Sequence, residues 1–233
     1  MITIFSRVKN KIKNSLKTPK ERLAEKRHSL VGSSKFWKMK RKFQISFLKS
    51  VGLQAEHYLL DIGCGTLRGG IPLIEYLNEG HYFGIEARTE ALEEGRKELR
   101  EFNLESKMPV LMCTTDIISS EIKQKFDFIW AFSVLIHMND QILDDCFHFV
   151  GKNLAENGHF YANVIISKNL ANDTKKAGDW YDFPVMVRKI EFYQQISSRH
   201  GLSMSELGTL QSLGHNSGAV GQDKQIMLEF GKS

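Results

Sequence analysis

Asp61, Gly63 and Gly65 are the first residues whose types and spacing carry chemical content. They lie in YLLDIGCGTLRGG, Tyr58 to Gly70, where an apolar run ends in an acid and four glycines follow within eight positions. A strand feeding such a turn lets main-chain atoms approach a ligand where a Cβ would collide. The dinucleotide fingerprint GxGxxG, started at Gly63, asks for glycine at position 68, where Arg68 stands; Gly69 and Gly70 are out of register. Arg68 opens the following helix, placed to pair with a ligand carboxylate or with Asp61. A purely structural glycine turn explains the glycines alone.

Two further acids narrow the choice. Glu86 closes YFGIE, 21 residues after Gly65, where a carboxylate can accept both hydroxyls of a ribose in a dinucleotide or an S-adenosylmethionine site. Asp116 follows VLMCTT with Ile117 beside it. An acid there can accept from an adenine amine while Ile117 meets the ring. Alone, Asp116 reads equally well as the N-cap of a helix over 117–124. Acids at three successive strand ends favour a nucleoside. Arg68 and Asp116 together disfavour an NAD-dependent dehydrogenase.

The elements that must position these residues alternate strand and helix. Strands are expected at 57–62, 82–86, 109–113, 126–132, 159–166, 203–208 and 225–230. Several are nearly continuous apolar runs, as expected of strands covered on both faces. Helices are expected at 67–78, at 89–102 with Thr89 as N-cap, at 140–152 burying Ile142, Cys146, Phe149 and Val150, and at 186–200. Another at about 35–50 puts Phe36, Phe43, Phe47 and Val51 on one face. The implied fold is α/β: a doubly wound, mostly parallel seven-stranded sheet with an antiparallel last strand, plus an N-terminal helical extension. Two regions are expected: a basic arm at 1–34 and the α/β domain at 35–233.

LLDIGCGT, YFGIE, TTDI and FDFIWAFSVLIHM, in this order and spacing, resemble the successive motifs of class I S-adenosylmethionine-dependent methyltransferases over roughly residues 35–230. RHSLVGSSKFWKMKRKFQISFLKSVGLQ and GTLRGGIPLIEYL also look like a bacterial subgroup of poorly defined substrate. The resemblance implies S-adenosylmethionine as cofactor and S-adenosylhomocysteine as product. It implies Asp61, Gly63 and Gly65 around the methionine portion, Glu86 on the ribose, and Asp116 with Ile117 at the adenine; Cys64, Arg68, Ala87, Phe132 and Ser133 are further cofactor-binding candidates.

Methyl transfer needs two aligned atoms, excluded water and, for a hydroxyl acceptor, removal of a proton. His137 is the imidazole next to the expected transfer point and the candidate base, against a reading in which it only orients its loop. AFSV at 131–134 is not the Asp/Asn-Pro-Pro-aromatic tetrapeptide of enzymes that methylate exocyclic amines of nucleic-acid bases, so DNA-base N-methylation is not expected. The segment has no acid before Asp140, so no metal is expected. Residues 167–185 read as a 19-residue loop, a lid or binding loop carrying Trp180, Tyr181 and Phe183. Residues 214–224 read as a solvated rim loop with His215. His28, Trp37, Tyr181 and His215 are the candidate substrate-binding residues, with core packing an equal explanation for Trp37.

Charge is unevenly distributed. Residues 1–42 carry 14 Lys and Arg against 2 Asp and Glu, a net +12, whereas 43–233 carry 18 against 25, a net −7. The domain is therefore acidic and unlike a nucleic-acid surface. Ile4, Val8, Ile12 and Leu16 form one apolar row among lysines, which suits weak, salt-sensitive contact of residues 1–18 with an anionic membrane surface. Three widely spaced cysteines without CxxC read as reduced thiols, structural at Cys113 and Cys146, and no apolar run reaches membrane-spanning length. A cytoplasmic enzyme, peripheral at most to the inner membrane, is the expectation. It would methylate a small-molecule or glycan-type acceptor, more at oxygen than at nitrogen. The alternatives are a protein or RNA methyltransferase docking through the arm, and a non-catalytic cofactor-binding scaffold. Oligomeric state is open.

Overall fold

The computed structural model describes residues 18–118 and 122–233. Seven strands form one sheet in the order β3-β2-β1-β4-β5-β9-β8. They are β1 (Leu59–Ile62), β2 (Tyr82–Glu86), β3 (Val110–Cys113), β4 (Phe126–Ala131), β5 (Leu154–Val164), β8 (Leu202–Thr209) and β9 (Ile226–Lys232). β1 to β5 are mutually parallel, and β9 runs antiparallel to both β5 and β8. The parallel register sets Asp61 beside Gly84 on one side and Trp130 on the other, and Glu86 beside Cys113. The carboxylates of successive strands therefore reach the same end of the sheet.

Helices cover both faces. On one lie α2 (Trp37–Ser50), α3 (Gly70–Tyr76) and α4 (Thr89–Glu101). The other is covered by α5 (Asp140–Asn153) and α6 (Ile190–Arg199). In α2 the buried residues are Trp37, Lys40, Phe43, Gln44, Phe47 and Leu48, a stripe at i, i+3 and i+4 spacing. Phe43 and Phe47 pack with Ile71 and Leu92 in one core, while Phe147, Val150 and Ile196 fill the other. Gly69 and Gly70 admit this packing: a Cβ would lie 2.4 Å from Gln44 Oε1 and 2.6 Å from the Tyr82 hydroxyl, respectively. A short α7 (Val220–Asp223) leads into β9.

Four local expectations need correction. Residues 167–185 are not a patternless loop: β6 (Thr174–Trp180) and β7 (Phe183–Arg188) form an antiparallel hairpin turning at Tyr181-Asp182. Arg88, not Thr89, occupies the N-cap of α4, and no side chain caps it. Asn139 caps α5 instead, accepting from the Ile142 amide at 2.9 Å, and Ile142 itself is exposed. Cys113 is exposed on edge strand β3, unlike the buried Cys64 and Cys146; all three are free thiols.

The described part of the arm, α1 (Pro19–Ser29), binds to the domain. Thr18 and Glu21 cap α1 reciprocally, at 3.2 and 2.8 Å. Arg27 is buried and pairs bidentately with Glu101 at 2.9 and 2.8 Å, with Glu94 at 3.4 Å and Glu98 at 3.9 Å. The apolar row Ile4, Val8, Ile12 and Leu16 lies outside the described residues. Among the described residues no helix is long and apolar enough to cross a membrane.

Candidate active site

A cavity of about 520 Å³ opens at the carboxyl ends of β1, β2 and β4, the place where open α/β sheets hold ligands. Its floor is the turn after β1. Gly63 and Gly65 have φ of +71° and +59°. A Cβ on Gly63 would lie 2.4 Å from Val134 Cγ2, and one on Gly65 2.6 Å from Val31 Cγ1. Only glycine fits either position. The Gly63 and Cys64 amides both donate to the Ile85 carbonyl, at 2.7 and 3.0 Å, locking the turn against β2.

Glu86 is buried at the cavity edge. Its Oε2 accepts from the Gly65 amide at 2.9 Å, and its Oε1 from the Arg88 amide and Nε at 3.0 and 3.2 Å. Asp61 accepts from the Tyr82 hydroxyl at 2.8 Å. Burial pushes the Asp61 carboxyl up to about 7, with the Tyr82 bond pulling the other way. Arg68 Nη1 donates to the Val31 carbonyl at 2.8 Å rather than to Asp61, and its Nε is buried without a partner. Burial lowers this guanidinium to about 10.

Beyond β3 the cavity is lined by Thr114, Thr115 and Ile117. Asp116 lies outside that lining: it is exposed, and its Oδ1 accepts from the Ile118 amide at 3.1 Å. Ala87, Phe132 and Ser133 also line the cavity. Ser133 sits at φ +60°, its amide held by Asn163 Oδ1 at 2.7 Å.

The hairpin roofs one side. Trp180 stacks on His137 at 4.8 Å, and Arg88 lies 4.9 Å over the Trp180 ring. His137 Nδ1 donates to the Pro184 carbonyl at 3.0 Å, and burial, with Arg88 nearby, holds its imidazole below the ordinary value. Arg188, fully buried, ties the root of β7 to this corner through Met138 O at 2.6 Å and Asp140 at 2.8 Å.

The far end was not legible from motifs. Lys40 and Gln44 of α2, with Gln222 and Gln225, line it together with His215 and Phe132. Burial and Arg68 lower the Lys40 ammonium to about 7; it lies 5.9 Å over the Phe132 ring. The only sequence signal was an i, i+4 pair, Lys40 and Gln44, on the stripe of a helix otherwise filled by aromatics. His215 is not on a solvated loop: it is 0% exposed, between Phe43 and Phe132, with Nδ1 2.8 Å from Asp223 Oδ1.

The other substrate candidates stand elsewhere. His28 and Trp37 stack on each other at 3.9 Å, with Arg41 5.2 Å over Trp37, and neither lines the cavity. They are the corner joining α1 to α2. Tyr181, 54% exposed, is the hairpin tip, and its hydroxyl donates to the Ser29 carbonyl at 3.2 Å. Among the described residues no group of three His, Cys, Asp or Glu side chains is placed to hold a metal ion.

A family model described as "Methyltransferase domain" matches residues 60–160, from β1 into β5. No curated protein matches the sequence. Solved structures do. Magnesium protoporphyrin IX methyltransferase from Synechocystis, with S-adenosylmethionine bound, is 14% identical, covers 97% of each chain and gives a TM-score of 0.62. An S-adenosylmethionine-dependent methyltransferase from Clostridium acetobutylicum is 15% identical over 100% of this chain and 99% of that one, at 0.61. A glycopeptide N-methyltransferase is 14% identical over 83% and 90%, also at 0.61. At these identities the likeness establishes the fold. The family match identifies residues 60–160 as resembling a methyltransferase domain, and the glycine cradle beside Glu86 lies within that stretch.

Proposed function

We propose that the chain methylates a polar small-molecule or glycan-type acceptor, at oxygen rather than nitrogen and without a metal. The carrying observation is the composition of the cavity's far end, where Lys40, Gln44, His215, Gln222 and Gln225 surround Phe132. Such a set hydrogen-bonds a small polar molecule and leaves no flat surface for a nucleic-acid base stack. The absence of the base-methylating tetrapeptide after β4 agrees.

The cradle fits the cofactor. Gly63 and Gly65 leave backbone open where side chains would fill the space, and Glu86 offers acceptor oxygens to ribose hydroxyls. The unpartnered Arg68 Nε is a donor for the methionine carboxylate. Bound there, S-adenosylmethionine supplies an electrophilic methyl group. Ile117 is an apolar neighbour for adenine, and Asp116 stands outside the lining at the rim beside it. His137 and Trp180 close the hairpin over the site and exclude water.

Residues 1–18 act, in this reading, as a weak, salt-sensitive anchor of a cytoplasmic enzyme to anionic lipid. Docking of RNA or protein through the arm is less favoured, because Arg27 and Arg41 already pair with Glu94, Glu98 and Glu101.

Calorimetry with S-adenosylhomocysteine tests the cradle: micromolar binding is expected, with Glu86→Ala weakening it about tenfold or more. Transfer of a radiolabelled methyl group to hydroxyl probes (4-methylcatechol, methyl glucoside) rather than to benzylamine tests the acceptor class. Transfer to the amine alone rejects it.

A further inference from the structure

Two imidazoles line the cavity, and they differ in what faces Nδ1. His137 Nδ1 donates to the neutral Pro184 carbonyl, and the charge acting on its ring is Arg88, which opposes a second proton. His215 Nδ1 faces Asp223. That carboxylate also accepts from the Ser217 amide at 3.0 Å, the Ser217 hydroxyl at 2.8 Å and, through Oδ2, the Gly218 amide at 3.0 Å. These donors hold Asp223 below the usual carboxylate range, so it is ionised. An ionised acceptor at Nδ1 fixes the ring proton there and leaves Nε2 with a free pair.

That Nε2 is buried and without a hydrogen-bond partner. Gln222 Oε1 is in the same state, and both residues line the far end of the cavity. Unpartnered buried acceptors are disfavoured unless a ligand brings donors to them. A histidine serving only to order residues 214–224 has no use for a free pair beside a cavity, since Ser217 and the Gly218 amide already secure Asp223.

We propose that His215, oriented by Asp223, is the base that takes the proton of the acceptor's hydroxyl, and that the acceptor occupies the end of the cavity bounded by Lys40, Phe132 and Gln222. The assignment rests on the O-methyltransferase reading. As the oxygen–methyl bond forms and the sulfonium–methyl bond breaks, the hydroxyl proton passes to Nε2, and the bonding pair returns to sulfur as a neutral thioether. The imidazolium is then paired with Asp223 and loses its proton to water. Burial and then Lys40, the other charged group acting on this ring, disfavour the imidazolium, and Asp223 offsets them; Lys40 lines the same end of the cavity. His137 is left to seat the hairpin.

Two measurements test this on the full chain. The first is the ¹⁵N-imidazole spectrum of the protein loaded with S-adenosylhomocysteine, with His215→Gln identifying the resonance. An unprotonated Nε2 at neutral pH is expected, and Asp223→Asn moves the proton toward Nε2. A native Nε2–H overturns the proposal whatever the acceptor. The second is methyl transfer to 4-methylcatechol, methyl glucoside and benzylamine. His215→Ala should lower kcat about 100-fold at unchanged S-adenosylhomocysteine affinity, with partial rescue by added imidazole, and Asp223→Asn should displace the acid limb of the pH profile. His215→Gln replaces His215→Ala if the latter does not fold. Native-like kcat in the folded variant, or transfer to the amine alone, overturns the base role. Failure of the native chain to bind S-adenosylhomocysteine marks instead the failure of the methyltransferase reading.

Discussion

At the residue scale, Asp61 is held in a position that opposes its charge. Its carboxyl titrates at about 7 in the fold and near the ordinary 3.8 when the chain is unfolded. Between those values the folded chain keeps a proton that the unfolded chain has released, so stability from this group falls as pH rises through that window. Asp61→Asn is therefore expected to raise the melting temperature by a few degrees at pH 8 and to change it little at pH 4. The same variant should weaken S-adenosylhomocysteine binding, which calorimetry measures. His28 has the opposite sign. Burial against Trp37, with Arg41 nearby, lowers it to about 4, so its neutral stacked form loses ground as pH falls from 6.5 toward 4. Protection of the α1 amides, taken relative to intrinsic exchange at each pH, should fall over that range, and His28→Phe should flatten the response. Asp61, Gly63 and Gly65 were legible because β1 and its turn fix their spacing, and Glu86 because it closes the next strand. Lys40 was not: it sits in KMKRK among lysines and arginines alike, and only its burial, which is set by Phe132 and Arg68 from distant segments, separates it from them.

At the scale of elements, the sheet was readable because parallel strands buried on both faces are written as apolar runs. The hairpin was not, since β6 is TKKAGDW and almost wholly exposed, so no alternation marks it. Its turn places Tyr181 at φ +52°, where the usual signal would be asparagine or glycine. What holds the hairpin is the buried Arg188, whose guanidinium satisfies Met138 O, Leu135 O and Asp140 at once. Arg188→Ala removes a donor from Met138 O, Leu135 O and Asp140 at once, although Leu135 O still accepts from the Met138 amide, and is expected to destabilise the fold by roughly 2–3 kcal/mol, seen as a lower denaturation midpoint. It should also free the 3-10 turn Leu135–His137, raising exchange at His137 more than at β1.

Across the whole molecule, the positive arm meets an acidic helix. Arg27 pairs with Glu94, Glu98 and Glu101, and Arg41 of α2 with Glu98, so part of the excess positive charge of residues 1–42 is neutralised within the chain. Co-sedimentation with anionic vesicles should fall when residues 1–17 are removed, and the remainder, keeping the Thr18 cap of α1, should keep its melting temperature; equal pelleting of both forms rejects the anchor. Removing residues 1–34 is a different experiment, because it takes Arg27 from Glu94, Glu98 and Glu101, leaving Lys97 on Glu94 and Arg41 on Glu98. The linker after α1 has a kinetic consequence. Arg88 holds the Leu30 carbonyl and Arg68 the Val31 carbonyl, each at 2.8 Å, and Val31 packs over Gly65. These two bonds hold the linker over the glycine turn where the cofactor is proposed to sit. If they gate its exchange, turnover is expected to slow with added viscogen, and a viscosity-independent kcat rejects the gate.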